Sequence, residues 1–210
     1  MDVRKSIKIM IVKSYEIKKN KNLLKKNNFY LLYGENFGLK KDIKNFITTE
    51  LKRDNSELEF LSLYESEIIN NEENFYNYIY SGSLFSSAKV ITIHECSDKI
   101  IEKIENIHSK YPENVYLVFF SEILEKKSKL RTFFEKNKDA ICIPCYLDNE
   151  RDLETIAQLE LKKNNISISR EIINLLIEKA NSDRNNLRNE IDKIKAYSLD
   201  KKTLSIDEVK

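Results

Sequence analysis

Residues 29–41 read FYLLYGENFGLKK, a run of five large apolar residues followed by two glycines, Gly34 and Gly38. A continuous apolar run of this length is typical of a strand that is buried on both faces of a sheet, and Gly34 ends it. Beyond Gly38, apolar residues recur at positions 39, 43, 46, 47 and 51, which is the spacing of a helix that buries one side. The stretch therefore predicts a strand, a glycine-containing turn and a helix, the start of a parallel α/β fold.

Further strands are predicted downstream, and helical patterns or chain breakers separate them. The predicted strands are residues 58–64, 89–94, 115–120 and 140–143, and the predicted helices between them are residues 74–80, 98–109 and 127–135. Strands that alternate with helices predict a five-stranded parallel sheet with helices on both faces.

The chain changes character at Asp148, because only helical patterns follow it. These are residues 152–163, 169–180 and 183–197, with Ser169 and the pair Ser182-Asp183 as N-cap candidates. We expect an α/β domain over residues 1–147 and a small helical lid domain over residues 148–210, with the boundary near residues 146–149.

The composition of the chain excludes several classes of protein. The 210 residues are 41% hydrophobic and 33% charged, with a net charge of +2. No apolar stretch is long enough for a membrane span or a secretory signal, and three cysteines argue against a disulfide framework. We therefore expect a cytoplasmic protein.

Residues 1–28 carry nine lysines and arginines against two acids, which fits either a phosphate-binding arm or the lysine-rich composition of the whole chain.

The loop after the first strand lies where a nucleotide-binding P-loop would lie. A working P-loop reads G-x-x-x-x-G-K-[ST], with a lysine for the phosphates and a hydroxyl for magnesium. Here one residue is missing between Gly34 and Gly38, Leu39 takes the lysine position, and Lys40 takes the hydroxyl position. The third strand ends in His94-Glu95, without the aspartate that would hold magnesium. The sequence predicts the architecture of a P-loop ATPase without its chemistry, while weak nucleotide binding stays open.

Two further motifs are candidates for function. Ser83-Leu84-Phe85 places two large apolar residues among small polar ones, which fits either an interface anchor or core packing. Cys142 and Cys145 form a CxxC on or just after a strand, where a thiol gains no help from a helix N-terminus. We expect neither a metal site nor a cofactor.

Several motifs together resemble the delta subunit family of the bacterial DNA polymerase III clamp loader, which is related to AAA+ proteins. The motifs in chain order are LYGENFGL at residues 32–39, SLF at 83–85 just before a strand, LEKKSKLRTFF at 124–134, NLRNEIDK at 186–193 and the helix start at 204–209. The resemblance runs from Phe29 to the end of the chain, and it rests on the order and spacing of these motifs.

The resemblance implies a non-catalytic subunit of the polymerase holoenzyme, a nucleotidyltransferase, that acts in DNA replication. Such a subunit binds the ring-shaped sliding clamp (beta), inserts the pair matched by Leu84 and Phe85, next to Ser83, into a pocket, and opens one interface of the ring. The implied partners are the clamp, the gamma/tau and delta prime subunits, and primed DNA through the complex. The alternative reading is a nucleotide-binding AAA+-type ATPase with an unusual P-loop, and a third is a thiol oxidoreductase.

The chain departs from the family pattern at two places. The C-terminal helical collar that assembles the loader is missing after Lys210, and Ser205 with Glu208 fits the start of a further helix, so we expect a fragment or a truncated form. The usual glutamine of the clamp-binding motif is also not evident, with Tyr80 near its place.

Overall fold

The computed structural model describes residues 11–20, 22–55, 57–82 and 86–197. The chain divides into two units between Cys145 and Tyr146.

The first unit contains a five-stranded sheet in which each pair of neighbouring strands is parallel. The strands are β1 (Phe29–Tyr33), β2 (Leu58–Tyr64), β3 (Ala88–His94), β4 (Val115–Ser121) and β5 (Ala140–Pro144). Their order across the sheet is β2-β3-β4-β1-β5, so that β1 lies between β4 and β5. The predicted five-stranded parallel sheet is confirmed.

Helices cover both faces of this sheet. They are α1 (Ser14–Lys19), α2 (Asn22–Lys26), α3 (Phe37–Asp54), α4 (Glu65–Asn70), α5 (Glu72–Tyr80), α6 (Ile101–His108) and α7 (Lys129–Lys136). Phe29, Leu31 and Tyr33 of β1 join a core cluster with α4 to α7, whereas Tyr30 and Leu32 join another with α1 to α3. This two-sided burial explains why β1 is apolar at every position.

The segment before β1 lies along the edge of the sheet at β5. Ile11 forms an isolated parallel bridge with Cys142, and the backbone N–H of Val12 donates to the Cys142 carbonyl at 3.0 Å. The backbone groups on this edge of β5 thus gain a partner from the same chain, as edge strands require if they are not to pair with other molecules.

In its described residues, 146–197, the second unit has three helices around a core of their own, namely α8 (Glu150–Lys163), α9 (Arg170–Ala180) and α10 (Arg184–Tyr197). Ser169 caps α9 through its side chain, and Asp183 accepts hydrogen bonds from the first turn of α10. A buried ion pair joins Asp148 to Arg184, with Nε to Oδ2 at 2.8 Å. This pair fixes the chain before α8 against the start of α10.

The structure also contains elements that the sequence pattern did not predict, namely α1, α2 and α4. The predicted helix 98–109 is a short 3-10 turn (Asp98–Ile100) that continues into α6, and the helix predicted at 127–135 begins at Lys129. Among the described residues, no helix has both the length and the apolar character needed to cross a membrane.

Candidate functional site

The loop after β1 lies at the carboxyl edge of the sheet, where parallel α/β folds commonly bind ligands. Gly34 has a φ of +124°, which residues with a side chain rarely adopt. A Cβ at this position would lie 2.3 Å from the carbonyl oxygen of Cys145. The loop therefore passes so close to the end of β5 that only glycine fits here.

Backbone donors of this loop bond within the protein. In a phosphate-binding loop the N–H groups ahead of the helix point to the ligand. Here the backbone N–H of Gly34 donates to the Ser121 carbonyl at 3.2 Å, and the backbone N–H of Asn36 donates to the Cys145 carbonyl at 3.0 Å. The loop N–H groups with a partner in the chain are those of Gly34, Asn36, Phe37, Leu39 and Lys40. The side chain of Asn36 also caps α3. These donors are not free for a phosphate.

Lys40 is buried, with only 1% of its surface exposed. Its ammonium Nζ lies 3.0 Å from the carbonyl oxygen of Ser121 and 3.3 Å from Oε1 of Glu122. The side chain thus reaches from the first turn of α3 to the end of β4. The sequence placed Lys40 at the hydroxyl position of a P-loop, and in the structure its charge is instead bound to the neighbouring strand.

The end of β3 carries His94 and Glu95. His94 Nε2 lies 3.0 Å from the hydroxyl of Ser62, and burial together with the charges of Lys44 and Lys40 lowers the pKa of His94 below its usual 6.5. Glu95 is exposed and has a φ of +58°. In the described part of the chain, no three His, Cys, Asp or Glu side chains come together as metal ligands.

Large apolar side chains are exposed along the same carboxyl edge. Phe37 is 54% exposed, Tyr64 48% and Ile123 64%. Between Phe37 and Tyr64 lie the rings of Phe120 and His94, with centroid separations of 5.2 to 6.3 Å from one ring to the next. A phosphate site would need several polar groups that point to the ligand, and an aromatic surface lies here instead. Such a surface suits contact with a protein better than contact with a nucleotide.

Ser83, Leu84 and Phe85 lie outside the described residues, and the segments on either side of them are firmly bonded. The buried ammonium of Lys89 donates to the carbonyl oxygens of Tyr78 at 3.0 Å and Ser81 at 2.7 Å, at the end of α5. On the other side, the N–H of Ser87 donates to Glu57 O at 3.1 Å, and the Asn114 side chain donates to Ser87 O at the same distance. Sequence reasoning missed this function of Lys89, since a lysine in a strand pattern gives no signal of burial.

The CxxC cysteines are both fully buried, and burial raises the pKa of Cys142 well above its usual value. Reactive cysteines need an accessible thiolate, whereas buried ones are inert. This geometry counts against the thiol oxidoreductase reading.

A sequence model of the family described as DNA polymerase III, delta subunit, matches residues 30–146 of this chain. The match covers more than half of the 210 residues. The chain belongs to this family. The resemblance inferred from the sequence motifs is therefore confirmed. Members of this family are components of the DNA polymerase III complex.

A curated protein that is similar to this chain carries the name of the same family. The probable DNA polymerase III subunit delta of Rickettsia prowazekii is 25% identical over 181 residues, which cover 85% of this chain and 53% of the relative. The chain thus spans about half the length of the relative that it matches.

Solved structures agree on the fold. The Bacillus subtilis DNA clamp loader delta protein has a TM-score of 0.54 at 14% identity, over 93% of this chain and 61% of that one. Domain III of the Thermotoga maritima replication initiation protein DnaA has the same score and identity, over 93% and 86%. The Thermotoga maritima RuvB Holliday junction branch migration motor scores 0.55 at 13% identity, over 87% and 59%. The delta-family chain has an AAA+-like α/β fold, as predicted.

Proposed function

We propose that this chain binds and opens a sliding clamp for loading onto primed DNA, and that it does so without binding or hydrolysing ATP itself. The observation that carries the proposal is membership of the delta subunit family, together with the Ser83-Leu84-Phe85 motif just ahead of β3. In this proposal Leu84 and Phe85 insert into a pocket of the clamp, and Ser83 belongs to the same contact.

The bonded stem around the motif supports this assignment. Lys89 binds the carbonyl groups at the end of α5, and Ser87 is bonded to Glu57 and Asn114 at the start of β3. A motif that is joined to the fold at both ends loses less conformational freedom on binding than one in a free tail. Rigid ends therefore favour an anchor that fills a pocket on a partner.

The free energy gained by burying Leu84 and Phe85 would be large enough to contribute to clamp binding. Full burial of a leucine and a phenylalanine contributes about 3 to 6 kcal/mol, and the entropy lost on association offsets part of it. A ligand opens a ring only if it binds the open state better than the closed one. The insertion of both side chains must therefore be more complete in the open clamp.

The carboxyl edge supports a role without nucleotide. Lys40 is bound to Ser121, and backbone donors of the loop have partners in the chain. These contacts disfavour the alternative reading, an ATPase with an unusual P-loop built on Gly34, Gly38 and Lys40. The proposal assigns the ATP-dependent steps to partners, the gamma/tau and delta prime subunits, and places this cytoplasmic subunit in a holoenzyme whose polymerase activity lies elsewhere.

Surface plasmon resonance on an immobilised sliding clamp tests the proposal. We expect saturable binding by this chain, unchanged by added ATP and magnesium, and loss of that binding in the double variant Leu84→Ala/Phe85→Ala. The matched control is Phe60→Ala/Leu159→Ala, which removes the same two residue types where they are 48% and 56% exposed and away from the aromatic surface at the carboxyl edge.

Three results would count against the proposal. If the folded chain fails to bind the clamp, the clamp-binding function is wrong for these residues. If both double variants weaken binding equally, the contact is real but does not depend on Leu84 and Phe85. Fluorescent ATP that binds saturably to the chain would favour the nucleotide-dependent alternative.

A further inference from the structure

A groove with a volume of about 890 Å³ lies between α6 and α7, on one face of the sheet. Ile101 and Glu105 of α6 line one side. Lys129, Thr132, Phe133 and Lys136 of α7 line the other. The volume lies within the range of sites that bind ligands or short protein segments. The clamp-binding motif proposed above contributes no residue to it.

The α7 side of the groove is a regular stripe. Positions 129, 132, 133 and 136 follow the i, i+3, i+4, i+7 spacing of one helix face, while Leu130 and Phe134, on a second face, are buried in the core. Phe133 is half-buried, and its ring lies edge-on to those of His108 and Phe134, with centroids 5.4 and 5.5 Å apart. Phe133 is therefore held in place as an apolar floor.

The charges around this floor are mostly positive. Four lysines and two carboxylates line the groove. Lys129 and Lys136 are exposed and seven residues apart, which places them two helical turns or about 10.5 Å from each other along α7. Arg131 does not contribute, because its guanidinium bonds Glu135 and lies over the Tyr33 ring.

We propose that the α6–α7 groove binds an acidic amphipathic helix of a partner protein. Two carboxylates of that helix, seven residues apart, would pair with Lys129 and Lys136, and an apolar side chain midway between them would cover Phe133 and Ile101. This is the helix-in-groove mode of recognition, in which the spacing of the apolar and charged anchors gives specificity.

The lining favours a peptide over a nucleic acid. Glu105 and Asp139 also line the groove, and a nucleic acid, which carries a charge at every phosphate, would meet them as well as the lysines. An apolar floor with lysines at both ends instead complements a helix that carries carboxylates at its ends and an apolar centre. The inference goes beyond clamp binding and does not depend on it.

Fluorescence anisotropy with the full 210-residue chain tests the groove. The probe is a fluorescein-labelled synthetic helical peptide that carries two glutamates seven residues apart and two leucines between them, on an alanine and glutamine background. We expect saturable binding, weakened about tenfold or more by the double variant Lys129→Glu/Lys136→Glu. Both lysines are exposed, so the variant should fold, which circular dichroism checks.

The control variant is Lys26→Glu/Lys41→Glu, which makes the same charge change on the helices α2 and α3 of the opposite face. It should leave the affinity within about twofold. A second peptide, with lysines in place of the glutamates, should bind the Lys129→Glu/Lys136→Glu variant better than the unmodified chain.

Three results would overturn the inference. The first is no binding of the glutamate peptide at millimolar concentration, and the second is equal weakening by the groove and control variants. The third is tighter binding of a fluorescein-labelled single-stranded oligothymidylate that is lost in Lys129→Glu/Lys136→Glu, which would assign the groove to nucleic acid.

Discussion

Lys40 is the single residue that most clearly separates this loop from a nucleotide site. Its Nζ bonds the Ser121 carbonyl inside the fold, where a charged group is costly unless it is paired. Replacing Lys40 by methionine keeps most of the side-chain volume and removes this donor. We expect the free energy of unfolding to fall by about 1 to 3 kcal/mol in urea titrations.

The neighbouring lysine gives the matched control for this prediction. Lys41 is exposed, so Lys41→Met should change the free energy of unfolding by no more than about 0.5 kcal/mol. Equal effects of the two substitutions would mean that the Lys40 contact adds nothing to stability.

Gly34 carries the second prediction at this scale. Its φ is +124°, and a methyl group added to its Cα would overlap the Cys145 carbonyl, so Gly34→Ala must shift the backbone on one side or the other. We expect a loss of at least about 2 kcal/mol in the free energy of unfolding, measured in urea. Gly82→Ala, which meets no atom within 4 Å, serves as control and should be close to neutral.

His94 makes stability depend on pH. Burial and the charges of Lys44 and Lys40 hold its folded-state pKa below 6.5, so the unfolded chain takes up a proton more readily than the folded one. The contribution of the neutral ring is complete above pH 6.5 and is lost as the pH falls through the folded pKa. The variant His94→Gln should lack this slope, which urea midpoints between about pH 8 and pH 5 would reveal. Parallel slopes for the variant and the unmodified chain would contradict the assignment.

At the scale of elements, the start of α7 depends on a carboxylate from another segment. Asp98 accepts from the Ser128 hydroxyl at 2.6 Å and from the Leu130 N–H at 2.9 Å. Burial acts to raise the pKa of Asp98, but these bonds and the Lys129 charge outweigh it and hold the pKa below its ordinary 3.8.

The capping contact predicts an acid-sensitive loss of stability. Asp98→Ala should lower the free energy of unfolding by about 1 kcal/mol at neutral pH, as the loss of a helix cap does. The stabilisation is complete above pH 3.8 and is lost as the pH falls through the folded pKa, so the difference between variant and unmodified chain should shrink in acid. Urea titrations at neutral pH and below pH 3.8 measure this difference, with Asp192→Ala as control, because Asp192 is an exposed carboxylate that pairs with Lys195. A difference that stays constant with pH would contradict this account.

The strands could be predicted because burial on both faces leaves a plain signal. β1 is apolar at each position and β4 nearly so, and their predicted bounds hold to within a residue. The helices α1, α2 and α4 were missed because each has only five or six residues. A helix that short has too few residues for a periodic pattern and depends on tertiary packing.

The contacts of the candidate site could not be predicted in the same way. Sequence spacing identified the defective loop at Gly34 and Gly38, but the partner of Lys40 lies 81 residues further along the chain. Lysine is also among the residues least often buried, so composition alone would place both Lys40 and Lys89 in solvent. Only the fold brings their ammonium groups to carbonyl oxygens.

At the scale of the whole molecule, the order of motifs carried more information than any one of them. The family model matches residues 30–146 and so includes both the loop after β1 and the Ser83-Leu84-Phe85 motif. The likeness to DnaA and RuvB, at 14% and 13% identity, is of fold alone. The proposed binding and opening of a clamp is therefore supported by membership of the delta family and not by the AAA+-like fold.

Release of a sliding clamp from circular DNA tests that proposal most directly. A labelled clamp is loaded onto nicked circular DNA and incubated with this chain in the absence of ATP. We predict that the unmodified chain and the Phe60→Ala/Leu159→Ala control release the clamp, whereas Leu84→Ala/Phe85→Ala leaves it on the DNA. A folded chain that binds the clamp but never releases it would contradict ring opening, and release by the Leu84→Ala/Phe85→Ala variant would contradict the proposed site.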